Sequence, residues 1–242
     1  MIKGLFTSGS GMIPQLKKQE ATANNLANSR TTGYKKDALF VKELSKARQK
    51  VADRITEWQR PMLDDIYTDY TFGNFDKTGN PLDLAIDGEG FFTLQLDDGT
   101  HVLSRAGSFT VNNAGQIEFP GGALLVGEGG PIPVGEGQVE VGADGQVFSN
   151  GALVGRITPV TVADLMQLEK LGNSMFLVPE GTELLPVPAS PIQQGYLEAS
   201  NVDVVREMVE MIIAFRNFEA NARSLQAQEQ SLEHLFNRVA GQ

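Results

Sequence analysis

Residues 200–240 read SNVDVVREMVEMIIAFRNFEANARSLQAQEQSLEHLFNRVA, and this stretch decides the fold class. It contains no glycine or proline, and its apolar residues recur at helical spacing. The pattern predicts a helix roughly 57 Å long, at about 1.5 Å per residue. Ser200 is expected to cap it, with Asp203 favouring the positive end of the helix dipole. A small domain cannot cover such a helix, so part of its apolar seam must contact something outside the subunit.

Apolar residues at both ends of the chain alternate at spacings of three and four. The N-terminal seam runs through Ile2, Leu5, Gly9, Met12, Leu16, Gln19, Ala23 and Leu26, and the C-terminal seam through Phe215, Phe218, Ala222, Leu225, Glu229, Leu232, Phe236 and Val239. This spacing is typical of helices that pack as in a coiled coil. We therefore predict that the terminal helices pack on each other or on neighbouring subunits. One slip in phase occurs, because Phe218 follows Phe215 after a second step of three.

The N-terminal seam contains residues that disfavour an α-helix. Gly4, Gly9 and Gly11 each cost about 1 kcal/mol relative to alanine, and an interior Pro14 costs about 3 kcal/mol. The total of roughly 6 kcal/mol is comparable to the gain from burying three or four apolar side chains. The segment is thus expected to be largely disordered alone and to form a kinked helix when packed against partners.

The middle of the chain is glycine-rich, with short alternating runs that predict strands and turns. Residues 111–117 (VNNAGQI) and 141–147 (VGADGQV) repeat one hairpin pattern, whose fifth-position glycine suits a positive φ. Further strand candidates are residues 66–72, 92–96, 123–126 and 154–162, with a short helix around 164–170. A helical spacing is also present in residues 35–60.

The predicted fold class is α+β, with long terminal helices packing as a coiled-coil-like domain around a central, mostly antiparallel β domain. The expected division is residues 1–34 as the N-terminal helical segment, 35–75 as a connecting segment, 76–195 as the β domain and 196–242 as the C-terminal helix.

Composition excludes several classes of function. Residues 76–195 carry 15 acidic and 4 basic residues, a net charge of −11, which argues against nucleic-acid binding. Cysteine is absent, which removes disulfides and thiolate chemistry. No apolar run reaches the roughly 20 residues that span a bilayer, and no signal-peptide core is present. The protein is expected to be cytoplasmic, or exported without a cleaved leader.

No catalytic pattern emerges from the sequence. The two histidines, His101 and His234, have no ligand spacing, and neither phosphate-binding loops nor a serine nucleophile elbow are present. The acidic pairs at residues 64–65, 83/87 and 97–98 are interpreted as turn residues. We predict no enzyme activity, no cofactor and no metal.

Five motifs together resemble the rod and hook family of flagellar axial proteins, and the resemblance covers nearly the whole chain. They are ANNLAN at 23–28, TGYK at 32–35, TGNPLDLAI at 78–86 with GFF at 90–92, RAGSF at 105–109, and QGYLEASNVD at 194–203 followed by MVEMI at 208–212. Within the family, VGRI at 154–157 and LMQLEKLGN at 165–173 look most like the proximal rod subunit.

The resemblance implies a structural subunit of the basal-body rod, which polymerises into the drive shaft and forms the export channel. It also implies self-association, contact with neighbouring rod proteins, and export by the flagellar type III apparatus to the periplasmic rod without a cleaved signal peptide. Neither nucleic-acid binding nor direct membrane insertion is expected. The alternatives are a distal rod or hook-type axial subunit, a secreted adhesin of similar architecture, or a secreted protein that acts on the cell wall.

Two sets of site residues follow. The predicted subunit interface consists of Ile2, Leu5, Met12, Leu16, Asn24, Asn25, Leu26, Asn28, Met208, Ile212, Phe215, Phe218, Leu225 and Leu232. Phe40 and Leu44 resemble the short export signal of rod and hook proteins, and their spacing of four places both on one face of a helical turn. An ordinary apolar pair on a helix or linker explains the same spacing equally well.

Overall fold

The computed structural model describes residues 2–42, 62–135, 137–179 and 181–240. These residues form two compact units, each discontinuous in sequence. The helical unit contains the described residues of 1–27, 37–69 and 203–242, and the β unit contains those of 28–36 and 70–202. The predicted segment boundaries at residues 34, 75 and 195 stay a prediction.

Two helices dominate the helical unit: α1 (Ile2–Ala27) and α2 (Val204–Ala240). Helix α1 runs through Pro14 without a break in its assignment, although this residue cannot donate a backbone hydrogen bond. The predicted cap of α2 at Ser200 is wrong, because Asp203 Oδ1 accepts hydrogen bonds from the Val205 and Arg206 amides at 3.0 and 3.1 Å. Neither described helix is long and apolar enough to cross a membrane.

The two helices pack on each other in antiparallel fashion, which confirms the predicted pairing of the chain ends. Three side-chain contacts fix the direction, because their positions rise along α1 as they fall along α2. These contacts are Ser8 Oγ to Ser224 Oγ at 3.3 Å, an ion pair of Lys18 with Glu210, and Asn25 Nδ2 to Glu207 Oε2 at 3.3 Å.

Strands β1 (Asp37–Lys42) and β2 (Met62–Thr68) pair antiparallel in the same unit, with an irregularity between Phe40 and Val41. Branched and aromatic residues such as Phe40 and Val41 suit a strand once a partner is available. The helical spacing noted in residues 35–60 consists of Leu44, Ala47, Val51, Ile55 and Trp58, which lie outside the described residues, so it stays a prediction.

The β unit is built from antiparallel pairings throughout its described residues, as predicted. Its largest sheet has eight strands: β5 (Phe92–Gln95), β6 (His101–Ser104), β7 (Thr110–Val111), β8 (Ile117–Glu118), β9 (Leu124–Gly127), β10 (Gly130–Pro131), β15 (Glu169–Gly172) and β16 (Met175–Leu177). A second sheet has three strands: β11 (Val139–Val141), β12 (Gln146–Ser149) and β13 (Ala152–Arg156).

Three further two-stranded pairs bring distant segments together. They are β3 (Phe75–Lys77) with β19 (Tyr196–Glu198), β4 (Leu84–Ile86) with β18 (Ile192–Gln194), and β14 (Val160–Val162) with β17 (Leu184–Pro186). The first two pairs join the beginning of the β unit to its end. The predicted strand 154–162 is split between β13 and β14, and the predicted helix at 164–170 is a single 3-10 turn, Leu165–Gln167.

The repeated hairpin pattern behaves as predicted in both copies. Gly115 and Gly145 have φ values of 75° and 82°, which side-chain-bearing residues rarely adopt. Each glycine amide donates to the carbonyl three residues earlier, at 2.9 Å. The two turns connect strands whose apolar residues reach the main core, where Ile117 and Val147 are buried.

We expect the helices to be far less stable in the dilute monomer than the β unit. Small residues such as Gly9 and Gly11 face α2 and bury little apolar area, while the buried Oε1 of Gln228 has no hydrogen-bond partner among the described residues. An unpaired buried polar group costs about 1–3 kcal/mol. Hydrogen exchange should show weak protection in residues 2–27 and strong protection across the strands of 76–195. Equal protection of both regions in a verified monomer would contradict this prediction.

Candidate subunit interface

The first half of α2 exposes an unusual concentration of large apolar side chains. These residues, which we call the apolar face, are Val205, Met208, Val209, Ile212, Ile213 and Phe215. Ile212 is 55% exposed and Phe215 is 51% exposed. Contiguous apolar surface of this kind on a soluble protein commonly marks a protein–protein contact. The face therefore has the chemistry of an interface between chains.

Helical geometry separates the apolar face from the side of α2 that meets α1. The residues that contact or face α1 include Glu207, Glu210, fully buried Ala214, and Leu225. Each residue advances about 100° around the helix, so the apolar face is centred on the opposite side. Contact with α1 thus leaves the apolar face exposed.

The phase slip in the C-terminal seam marks the change from one side to the other. Met208, Ile212 and Phe215 belong to the exposed apolar face, whereas Phe218 and Leu225 are half-buried. Three residues advance about 300° around the helix axis, so Phe218 lies about 60° away from Phe215 around the helix. What the sequence suggested as one continuous seam is therefore two faces of one helix.

The predicted interface residues on α1 also divide by exposure. Leu16 is 44% exposed and lies near exposed Ile13, while Met12 and Leu26 are half-buried and Asn24 is exposed. Helix α1 contains Ile2 and Leu5, whose side chains lie outside the described residues. On α2, Leu232 is half-buried. Participation of all these residues in contacts between subunits stays a prediction.

Asn25 has a defined role within its own subunit. Its side-chain Nδ2 donates to the Asp37 carbonyl at 2.8 Å, and its Oδ1 accepts from the Asp37 amide at 2.9 Å. The amide thus pairs with both backbone groups of one residue and holds the start of β1 beside α1. Asn28 Oδ1 accepts a hydrogen bond from Thr31 Oγ1 at 3.2 Å in the turn that follows. Both asparagines stabilise local structure here, and their predicted place between subunits stays a prediction.

The structure describes only one residue of the predicted export pair, Phe40. Phe40 lies in β1, opposite Asp65 of β2, so the helical turn expected at this position is wrong for the folded subunit. Leu44 lies outside the described residues. The role of this pair in export stays a prediction.

A buried charge cluster in the β unit consists of Lys35, Arg105 and Glu198, each at most 3% exposed. Lys35 Nζ is 2.5 Å from Glu198 Oε1, and Arg105 Nη1 is 3.3 Å from Glu198 Oε2. Burial lowers the pKa of Arg105 from its ordinary value, and the carboxylates of Glu198 and Glu89 oppose this effect. Two cations thus share one buried anion.

The three residues lie in three separate sequence motifs, and their meeting was not predicted. A signal was available for two of them: Arg105 and Glu198 lie among apolar or small residues, and a charge buried in such surroundings requires a partner. No cluster of three or more potential metal-ligating side chains was found in the described parts of the chain.

Comparisons with known proteins agree with this architecture. Three family models match: "Flagella basal body rod protein" over residues 5–35, "Flagellar hook protein FlgE/F/G D1 domain" over residues 85–149, and "Flagellar basal body rod FlgEFG protein C-terminal" over residues 193–238. These matches define the chain as a member of the flagellar rod and hook class.

Individual relatives show to which family within this class the chain belongs. The chain is 34% identical to the basal-body rod protein FlgF of Caulobacter vibrioides over 93% of each chain. It is 31% identical to FlgG of the same bacterium, covering 96% of this chain and 97% of the relative. Its identity to FlgG of Bacillus subtilis is 29%, over 98% of this chain and 99% of the relative. The chain belongs to the FlgF/FlgG family of flagellar basal-body rod proteins.

Family membership gives the function at a coarse level. The chain is a structural, non-enzymatic subunit of the flagellar basal-body rod. This assignment confirms the predicted structural role and sets aside the alternative of a wall-acting enzyme. It also implies assembly with other rod proteins.

Proposed function

We propose that this chain is a proximal rod subunit that polymerises through its terminal helices into the drive shaft of the flagellum. In this proposal the subunits enclose the export channel and transmit torque. Residues 1–34 and 196–242 would belong to the axial core, and residues 76–195 would form the β domain. The distal rod is the alternative position.

The apolar face of α2 is the observation that carries this proposal. Its six large side chains are exposed although α1 already packs on the other side of the same helix. Burying an apolar side chain of this size contributes about 1.5–3 kcal/mol, before the ordering costs of association are subtracted. A neighbouring copy that covered this face would gain enough to stabilise a polymer.

A filament also needs a second surface, unlike the first, for each head-to-tail contact. On α1, Ile13 and Leu16 are exposed and supply apolar area on the other helix of the pair. We propose that these side chains take part in the complementary surface. The acidic β unit, with its net charge of −11 over residues 76–195, would keep the free subunit soluble until it assembles.

The proximal position draws support from the segments that most resemble the proximal subunit. VGRI at 154–157 covers the end of β13, and LMQLEKLGN at 165–173 covers the 3-10 turn and the exposed strand β15. Both segments contain exposed residues: Arg156 in the first segment, and Met166 and Leu171 in the second. Exposed residues of the β unit are available to distinguish one rod neighbour from another.

Labelling the subunit in native basal bodies tests the proposed position. A small peptide tag at the exposed Asp97–Gly99 turn should be decorated at the inner-membrane-proximal end of the rod. Decoration at the hook-proximal end would support the distal alternative. Complete absence of the tag from purified basal bodies, with normal motility, would contradict a rod role.

We propose export by the flagellar type III apparatus to the periplasmic rod, with Phe40 and Leu44 as the recognised pair. Because β1 holds Phe40 in a strand of the folded subunit, recognition would precede folding, while the pair is free to fill a small apolar pocket. Replacing both by alanine should leave the intracellular level unchanged and strongly reduce the exported amount, measured by quantitative immunoblotting.

The matched control for this prediction is the double variant Leu39→Ala/Val41→Ala, which keeps Phe40 and Leu44 in place. It should be exported normally. Normal export of the Phe40→Ala/Leu44→Ala variant, combined with defective rod assembly, would instead give these residues a role in packing.

A further inference from the structure

The backbone passes between the helical unit and the β unit four times, after residues 27, 36, 69 and 202. Three of these passages have neighbouring segments in the β unit: residues 33–36, 70–74 and 198–202. Hydrogen bonds tie these three segments together. We call the residues responsible the junction: the charge cluster of Lys35, Arg105 and Glu198, together with Asn201.

Asn201 joins all three segments by itself. Its Oδ1 accepts from the Lys36 amide at 2.8 Å, and its backbone amide donates to the Tyr34 carbonyl at 3.4 Å. Its side-chain Nδ2 donates to the Thr71 carbonyl and to Thr71 Oγ1, both at 3.2 Å. One half-buried amide therefore connects segments separated by up to 165 positions in sequence.

Glu198, which is buried, connects the same three segments a second time. Its Oε1 accepts from Lys35 Nζ at 2.5 Å and from the Gly73 amide at 3.0 Å, and its backbone carbonyl accepts from the Gly33 amide at 2.8 Å. Lys35 Nζ in turn donates to the Thr71 carbonyl at 2.8 Å. The same three segments are thus joined twice, by independent side chains.

Arg105 attaches the cluster to the core of the β unit. Its Nη1 donates to the Ile86 carbonyl at 3.1 Å and to Glu198 Oε2, and its Nη2 donates to the Gly88 carbonyl at 2.5 Å. Its guanidinium lies 5.0 Å from the centre of the Phe72 ring, which belongs to the second segment. A buried charged cluster is rigid because each member leaves an unpaired charge if it moves away.

We propose that the junction holds the three segments by which the chain enters and leaves the β unit in a fixed arrangement under load, and that Glu198 and Asn201 are its positioning residues. This inference rests on the proposed function. Load that arrives along one backbone segment is shared with the other two, because the hydrogen bonds between them act in parallel. Without the junction, each segment would yield separately.

The first experiment measures the junction in the purified full chain. The chain has no cysteine, so spin labels can be placed through Lys36→Cys and His101→Cys, two positions within the β unit. We expect a single narrow distance distribution, which broadens severalfold when Asn201→Ala or Glu198→Gln is added. The matched control Glu169→Gln, an exposed carboxylate on β15, should leave the width unchanged. Unchanged widths in both junction variants would overturn the inference, whatever the protein does in the cell.

The second experiment measures load in cells that carry the same variants. With Asn201→Ala, flagella should assemble in normal number and rotate normally at low viscosity, but lose motility severalfold under high viscous load. A purely structural role would lower flagellar number at every load instead. If motility fell with viscous load as it does in the wild type, and flagellar number were also that of the wild type, the mechanical role would be overturned. Failure of the rod assignment itself would be recognised separately, by normal flagellation in cells that lack this chain.

Discussion

Replacement of Ile212 by aspartate is expected to abolish rod assembly while leaving the free subunit folded. Ile212 is 55% exposed in the subunit, so the charge stays hydrated there and the free energy of unfolding should change by no more than about 0.5 kcal/mol. In the polymer the same carboxylate would be buried against a neighbouring apolar surface. Burying an unpaired charge costs several kcal/mol at least, enough to prevent a stable contact.

Two measurements check this prediction: thermal unfolding of the purified variant, and the number of rods in basal-body preparations. The matched control is Leu153→Asp, a change of the same kind at an exposed apolar residue of the β unit, which should still build rods. Motile cells carrying Ile212→Asp would show that the apolar face is not a subunit contact.

Replacement of Gly107 by alanine is expected to destabilise the β unit strongly. A Cβ at this position would lie 1.7 Å from the Leu84 carbonyl oxygen and 3.2 Å from Phe92 Cε2, both buried. The backbone cannot relax easily, because the Gly107 carbonyl accepts a hydrogen bond from the Leu84 amide at 2.9 Å. We expect a loss of about 3 kcal/mol or more in the free energy of unfolding, at the upper end of the range for overpacking.

The prediction is checked by comparing the urea-unfolding midpoint of Gly107→Ala with that of the control variant Gly129→Ala. A Cβ at Gly129 meets no atom within 4 Å, so this control should unfold close to the wild-type midpoint. A wild-type midpoint for Gly107→Ala would mean that the approach of Leu84 to Gly107 is not a feature of the native fold.

Local patterns in the sequence predicted local structure well. The hairpin glycines Gly115 and Gly145 have the predicted positive φ, since turn geometry depends on a few adjacent residues. The pairing of the chain ends followed from the two apolar seams. The phase slip after Phe215 was visible as well, but only the position of α1 shows that it divides an inward side from an exposed face.

Features that depend on distant partners could not be predicted. Phe40 has a spacing compatible with a helix, yet β2 supplies a strand partner more than twenty positions later. The charge cluster joins Lys35, Arg105 and Glu198 from three separate motifs, and nothing local indicates which charges will meet. Ser200 is chemically suited to cap α2, but the chain turns into the helix only at Asp203.

A comparison of the apolar face in the free subunit and in the assembled rod tests most directly whether this face is a subunit contact. With Ile212→Cys as the single thiol in this cysteine-free chain, reaction with a maleimide measures exposure at that position. We predict rapid modification in the purified subunit and strong protection in isolated basal bodies, while Leu153→Cys remains reactive in the subunit as a reference. Equal reactivity of Ile212→Cys in the subunit and in the rod would contradict the claim that the terminal helices assemble through this face.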